Sequence, residues 1–211
     1  TVNALHFDAR GVLWVGTSKG LVRFLNGRLD RHVLTESIWS ICNDSDGGLL
    51  VATFGRGVVH VDEGTVKSID GLPSRDARTV FRTRNGTVWV ALPGQGVYYS
   101  TPQKWMRLAP ANKTLLDVWS MVEDADGMIW IGAGAGGLSR WDGQRLETLA
   151  ESNGLAHAYV LHLLVDAEGS IWAGARSGLT RLRNDKLTVF TTAEGLASNM
   201  LGPLLEVESG G

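Results

Sequence analysis

Apolar and polar positions alternate along the chain in runs of four to seven residues, each closed by a short polar or glycine-bearing turn. Val2 to Asp8 is followed by the turn Asp8-Ala9-Arg10-Gly11, then by Val12 to Thr17 and a turn at Ser18-Lys19-Gly20. Leu21 to Leu25, the dipeptide Asn26-Gly27, and Arg28 to Leu34 complete the series. A two-residue period broken by turn signals every 8 to 12 residues or so predicts an all-β chain of short strands. Asn26-Gly27 and Asp142-Gly143 are hairpin dipeptides that accept positive φ, and Asn184-Asp185 fills the same slot without glycine. No helical periodicity competes with this reading.

The strand pattern repeats. Gly11-Val12-Leu13-Trp14-Val15-Gly16 returns as Gly127-Met128-Ile129-Trp130-Ile131-Gly132 and as Gly169-Ser170-Ile171-Trp172-Ala173-Gly174. Weaker copies are Gly86-Thr87-Val88-Trp89-Val90-Ala91, and Gly47-Gly48-Leu49-Leu50-Val51-Ala52 with leucine in the tryptophan slot. Measured at that slot, the copies stand 36, 39, 41 and 42 residues apart. Four strands every 40 residues or so, repeated in tandem, is the arithmetic of a β-propeller, in which neighbouring blades bury each other's faces. The expected fold is therefore a single all-β propeller domain over 1–211, with five four-stranded antiparallel blades at about 1–35, 36–74, 75–115, 116–156 and 157–199. Residues 200–211 align with the opening strand of a sixth repeat, so either five blades close a ring or the chain is an excerpt of a larger one. Trp14, Trp89, Trp130 and Trp172 are expected to fill the wedge between blades, since repetition in every unit is what packing demands. Asp8, Asp44, Asp124 and Asp166 open the first turn of their units, where a carboxylate can cap the turn's own amides.

Composition narrows the function. The 211 residues carry a net charge of −2, which lacks the basic stripe of a nucleic-acid binder, and no apolar run is long enough to span a membrane. Neither an export signal nor a cofactor motif appears in the sequence. The 27 glycines fit many tight turns, and the single Cys42 cannot pair within the chain, which favours a small buried hydrophobe over a reactive thiol. No Gly-x-Ser-x-Gly elbow is present, and the glycine-rich run Gly132 to Gly137 lies between two strands and opens no helix. Asp44-x-Asp46-Gly47 and Asp124-x-Asp126-Gly127 lack the remaining loop ligands of a calcium site, so no metal is expected.

These units resemble the two-component regulator propeller repeat, most closely at Val118 to Gly132 followed by Gly137-Leu138-Ser139-Arg140-Trp141. The inter-unit element of that family also appears, as Gly71-Leu72-Pro73-Ser74, Gly154-Leu155-Ala156 and Gly195-Leu196-Ala197. The second unit departs most, with Leu50 for tryptophan, and the third replaces the turn aspartate with Thr83. The resemblance implies an extracytoplasmic (periplasmic) sensor region of a bacterial two-component regulator. Related streptogramin lyases perform metal-assisted elimination with histidine and glutamate, and His162 with Glu123 is the one pair here that could imitate them.

Candidate chemistry sits where the repeat breaks. The third residue of the first strand reads Asn3, Trp39, Arg78, Trp119 and Leu161, and two residues earlier stand Thr1, Ser37, Asp76, Asp117 and Tyr159. The turns between second and third strands contribute Lys19, Arg56, Gln95 and Arg176. Packing slots repeat while binding slots differ, so Trp39, Arg78, Trp119, Arg56, Asp117 and Tyr159 are expected to line a channel mouth and bind a small anionic or aromatic ligand. A non-enzymatic sensor is the preferred function, with a structural or protein-interaction propeller as the alternative and a lyase third. Self-association through the terminal strand edge is a further expectation.

Overall fold

The computed structural model describes residues 1–25, 27–29 and 33–206. Asn26 of the first hairpin dipeptide, His32 and residues 207–211 lie outside the described residues. The alternating pattern forms five four-stranded antiparallel sheets, each joining consecutive strands in sequence order. The first holds β1 (Val2–Phe7), β2 (Leu13–Thr17), β3 (Gly20–Leu25) and β4 (Arg28–Leu29), and the second β5 (Ser37–Asn43), β6 (Leu49–Phe54), β7 (Gly57–Asp62) and β8 (Thr65–Ser68). The third holds β9 (Thr79–Arg82), β10 (Val88–Leu92), β11 (Gly96–Ser100) and β12 (Trp105–Arg107). The fourth holds β13 (Val118–Glu123), β14 (Ile129–Ala133), β15 (Gly137–Trp141) and β16 (Leu146–Leu149), and the fifth β17 (Val160–Val165), β18 (Ile171–Ala175), β19 (Gly178–Arg183) and β20 (Lys186–Phe190). These sheets are the blades. The first three fall in a compact unit, Thr1–Pro110, and the last two in a second, Ala111–Gly211. Short 3-10 turns at Glu151–Asn153 and Thr192–Glu194 precede the left-handed Gly154 and Gly195 of the inter-blade element.

Burial between blades follows one scheme in both units. Ile38 of β5 and Val160 at the start of β17 drive into the preceding blade, where the second strand carries glycine. A Cβ on Gly16 would meet Ile38 Cγ2 at 2.6 Å, and one on Gly132 would meet Val160 Cγ1 at 2.7 Å. Only glycine leaves room for the branched side chain. Trp14 joins Ile38, Leu49, Val51 and Val59 in one core, and Trp130 joins Val160, Ile171 and Ala173 in another. Trp89 is equally buried and stacks on Tyr99 of its own sheet, with ring centroids 5.0 Å apart.

Trp172 departs from the expectation of burial between blades. It is only half-buried, and residues 204–206 help line a groove beside it. Leu204 packs 3.6 Å from the Cβ position of Gly174, as Leu163 packs near Gly132. The segment thus takes the course of an opening strand, yet residues 201–206 form no ladder. Pro203 removes one of the amides a ladder would use.

The first turn of each blade shows why tryptophan and aspartate recur together. Asp8 accepts from the amides of Arg10 and Val12, both at 2.9 Å, and from the Trp14 indole at 2.9 Å. Asp124 and Asp166 repeat this arrangement, with indole bonds of 2.7 Å from Trp130 and Trp172. Burial raises the Asp166 carboxyl, but the Trp172 indole and the amides of Ser170 and Glu168 outweigh it and hold the group below the ordinary carboxylate range. Asp8 is lowered by the same balance. A depressed folded pKa contributes stability above the unfolded value, near pH 4, and that contribution is lost as pH falls through the folded value. Thermal melts should therefore show a stability loss below about pH 4. The Asp166→Asn variant should lose part of that acid dependence; an unchanged pH profile would remove the carboxylate from the account.

Candidate functional site

The slots that vary from blade to blade share a backbone feature. In four of the five blades the first strand carries a β-bulge, falling between Val2 and Ala4, Ile38 and Ser40, Val118 and Ser120, and Val160 and His162. The extra residues are Asn3, Trp39, Trp119 and Leu161. Arg78 takes the same slot in the third blade, just ahead of β9, with its amide on the Ala91 carbonyl at 3.0 Å. A bulged residue stands outside the regular pairing and its side chain is re-aimed. Residue type there is consequently free of the in-out alternation that fixes its neighbours.

In the first unit this brings Trp39 and Arg78 together. The Arg78 guanidinium carbon lies 5.9 Å from the centre of the Trp39 ring, within cation–π range, and the Trp39 indole nitrogen is buried with no hydrogen-bond partner. Asn3 uses its bulge position otherwise, donating to the Ile38 carbonyl at 2.9 Å. Arg56, in the turn between β6 and β7, faces Glu36 at 3.7 Å and the Ser68 hydroxyl at 3.3 Å.

In the second unit the Trp119 indole donates to Asp117 at 3.1 Å. Gly134 lies against this pair, since a Cβ there would sit 2.2 Å from the Asp117 carboxylate and 3.2 Å from the Trp119 nitrogen. Tyr159 has the Arg176 guanidinium 4.3 Å over its ring and His157 at 5.8 Å. Arg176, which the sequence places in the variable turn slot but not among the six ligand-contacting residues, therefore stands beside Tyr159.

The histidine and glutamate of the lyase comparison are not drawn together. His162 pairs with Gly174 near the start of β17, whereas Glu123 ends β13, opposite Ile129 and close to the turn glycine Gly127. Burial lowers the His162 pKa, so the ring is neutral at pH 7. A different ligand-bearing cluster exists. Asp44, Asp46 and His60 bring three donor atoms within 4.8 Å of one another. The cause is the leucine at position 50: without an indole to hold it, the Asp44 carboxylate turns to His60 at 3.6 Å and to Arg82 in a short ion pair. Asp46 takes over the capping of Gly48 at 2.9 Å and also faces His60 at 3.0 Å. The set could bind a cation, but Arg82 already neutralises Asp44. Cys42 beside it is pushed up to about 12, by burial and then by the Asp44 charge, and is an uncharged thiol at pH 7. Among the described residues no helix is long and apolar enough to cross a membrane.

The repeated sheets define a β-propeller architecture, and the solved structures agree. The chain aligns over 94% of its length, with a TM-score of 0.83 and 23% identity, with 29% of the extracellular domain assigned to a hybrid two-component system of B. thetaiotaomicron. It also aligns with 71% of virginiamycin B lyase from Staphylococcus aureus, over 93% of this chain at 12% identity and a TM-score of 0.75. PorZ, a surface component of the type-IX secretion system of Porphyromonas gingivalis, matches at 17% identity and a TM-score of 0.69, over 95% of this chain and 35% of its own. The chain spans 29% of the length of each of the first two such structures. No curated protein matches it. Residues 33–55 and 114–135 match the two component regulator propeller family model. One match falls on the unit closest to the repeat pattern; the other covers the start of the second unit, including Leu50 and the freed Asp44.

Proposed function

We propose that the chain is a non-enzymatic, ligand-binding sensor module that works outside the cytoplasm as part of a two-component regulator. Trp39, Arg78 and Arg56 in the first compact unit, and Asp117, Trp119 and Tyr159 in the second, are its ligand-contacting residues. One observation carries the reading: the bulge slot presents Trp39 beneath Arg78 with a buried, unpaired indole N–H. A flat ring beside a guanidinium suits a small carboxylate or aromatic acid, bound by stacking and a charge-assisted hydrogen bond. The likeness to an extracellular two-component domain supports the setting.

Tryptophan fluorescence during titration with aromatic and aliphatic carboxylic acids tests the reading. Binding should change the emission, and Arg78→Ala should weaken it by about ten-fold, the loss of one charge-assisted hydrogen bond. Emission that no acid moves would sink it. The second reading is a structural or interaction propeller, favoured by the exposed apolar row of β1, where Val2, Leu5 and Phe7 are 56%, 65% and 64% exposed. Sedimentation should then reveal self-association with rising concentration, abolished by Leu5→Glu with Phe7→Glu. A monomer at all concentrations would argue against it.

A further inference from the structure

The first unit also holds a cavity that neither Trp39 nor Arg78 lines. It measures about 500 Å³ and opens between the β6–β7 turn, the end of β8 and the segment 69–75 that leads to the third blade. Its volume lies in the range of small-molecule pockets. Its walls are fixed before any ligand arrives. The amides of Gly55 and Gly57 both donate to the Arg75 carbonyl, at 3.0 and 2.5 Å, and Gly55 also donates to the Asp76 carboxylate at 2.9 Å. Ile69 donates to Val58 at 2.9 Å, and the Trp105 indole holds the Asp70 carbonyl at 3.0 Å. The connecting segment is therefore pinned at three points along its length, which lowers the ordering cost of binding.

The charges around this cavity are mixed. Arg56 and Arg75 line it together with Glu36 and Asp70, and the half-buried Ile69 and Leu72 supply an apolar part. Arg56 and Glu36 stand 3.7 Å apart, too far for a hydrogen bond between those atoms, and their side chains are 37% and 26% exposed. Each can turn to a bound group at little loss. An anion alone would leave two carboxylates facing it, and a cation alone would leave two guanidinium groups. A molecule bearing both charges satisfies both pairs.

We propose that this cavity binds a small zwitterion, a free amino acid or short peptide with an apolar side chain. Its carboxylate is taken by Arg56 and Arg75, its ammonium by Glu36 and Asp70, and its side chain lies on Ile69 and Leu72. The proposal goes beyond the sensor reading and shares only Arg56 with the residues named there.

The test is amide NMR of the whole chain titrated to about 10 mM with each of the common amino acids and with leucylglycine. L-leucine is matched by its two single-charge analogues, 4-methylpentanoate and 3-methylbutylamine. Leucine or leucylglycine should shift the amides of Gly55, Gly57 and Gly71, with each analogue at least about ten-fold weaker. Arg75→Gln and Glu36→Gln should each weaken binding to a similar degree. Silence across the whole panel overturns the proposal, as does an analogue that binds as well as leucine. Sensitivity to Arg75→Gln but not to Glu36→Gln would make it an anion site and also overturn it. A response lost in Arg78→Ala would move the ligand to Trp39, overturning this site while supporting the sensor reading. Conversely, silence here beside an acid-dependent Trp39 signal sinks this site alone.

Discussion

Replacing Trp130 by alanine should destabilise the second unit by about 3–5 kcal/mol, the range for deleting a large buried aromatic. The side chain is 3% exposed and sits in the core formed with Val160, Ile171 and Ala173. Its removal has a second cost, because Asp124 loses its indole donor at 2.7 Å while keeping the amides of Asp126 and Met128. Trp130→Phe weights the second effect more heavily, since it removes the N–H together with part of the indole but keeps an aromatic ring in the core. It should cost about 1–2 kcal/mol, the value of a hydrogen bond to a charged acceptor. Urea unfolding of both variants checks this. A loss below about 1 kcal/mol for the alanine variant would mean that the tryptophan is not part of the core.

Gly137→Ala should cost about 2–4 kcal/mol, from backbone strain and overpacking together. Gly137 opens β15 with φ +74°, and an added Cβ would lie 2.3 Å from the Leu149 carbonyl oxygen. Backbone on both sides leaves nothing that can swing away. Gly143→Ala is the control: its φ is +99° but no atom lies within 4 Å of the added carbon, so it should show only the conformational part. Equal losses in the two variants would show that the close approach to Leu149 is relieved at no cost.

Much of the architecture was legible because packing repeats itself. Trp14, Trp89 and Trp130 mark the slot where a blade must be filled, and the spacing of that slot predicts five four-stranded blades, with the first three strands of the opening blade close to those found. The bond between turn aspartate and indole could also have been read, since Asp8 and Trp14, Asp124 and Trp130, and Asp166 and Trp172 are all six residues apart. Each residue invited a separate explanation, and their joint role emerges only when the turn folds the carboxylate under the ring. The bulges left no trace because asparagine, tryptophan and leucine share no property that a pattern could detect. Trp39 and Arg78 were grouped for a positional reason and stand 5.9 Å apart, whereas Arg56 turns to Glu36 and Ser68, partners in segments that carry no repeat signal of their own. The cavity beside it depends on how residues 69–75 are pinned by Gly55, Gly57 and Trp105, a tertiary effect that no local run of sequence encodes. The half-buried Trp172 likewise stands beside residues C-terminal to Gly195, where the repeat loses its regular pairing.

The bulge in the first strand has an evolutionary meaning. Asn3, Trp39, Trp119 and Leu161 stand outside the strict ladder while Ile38, Val118 and Val160 beside them fill the interior, so the side chain at the bulge and the packing of the blade are set by different codons. A substitution at the bulge therefore meets fewer packing constraints than one at Ile38, Val118 or Val160. A chain made of such units can diversify its recognition one blade at a time, with duplication of a blade adding another independent site of variation.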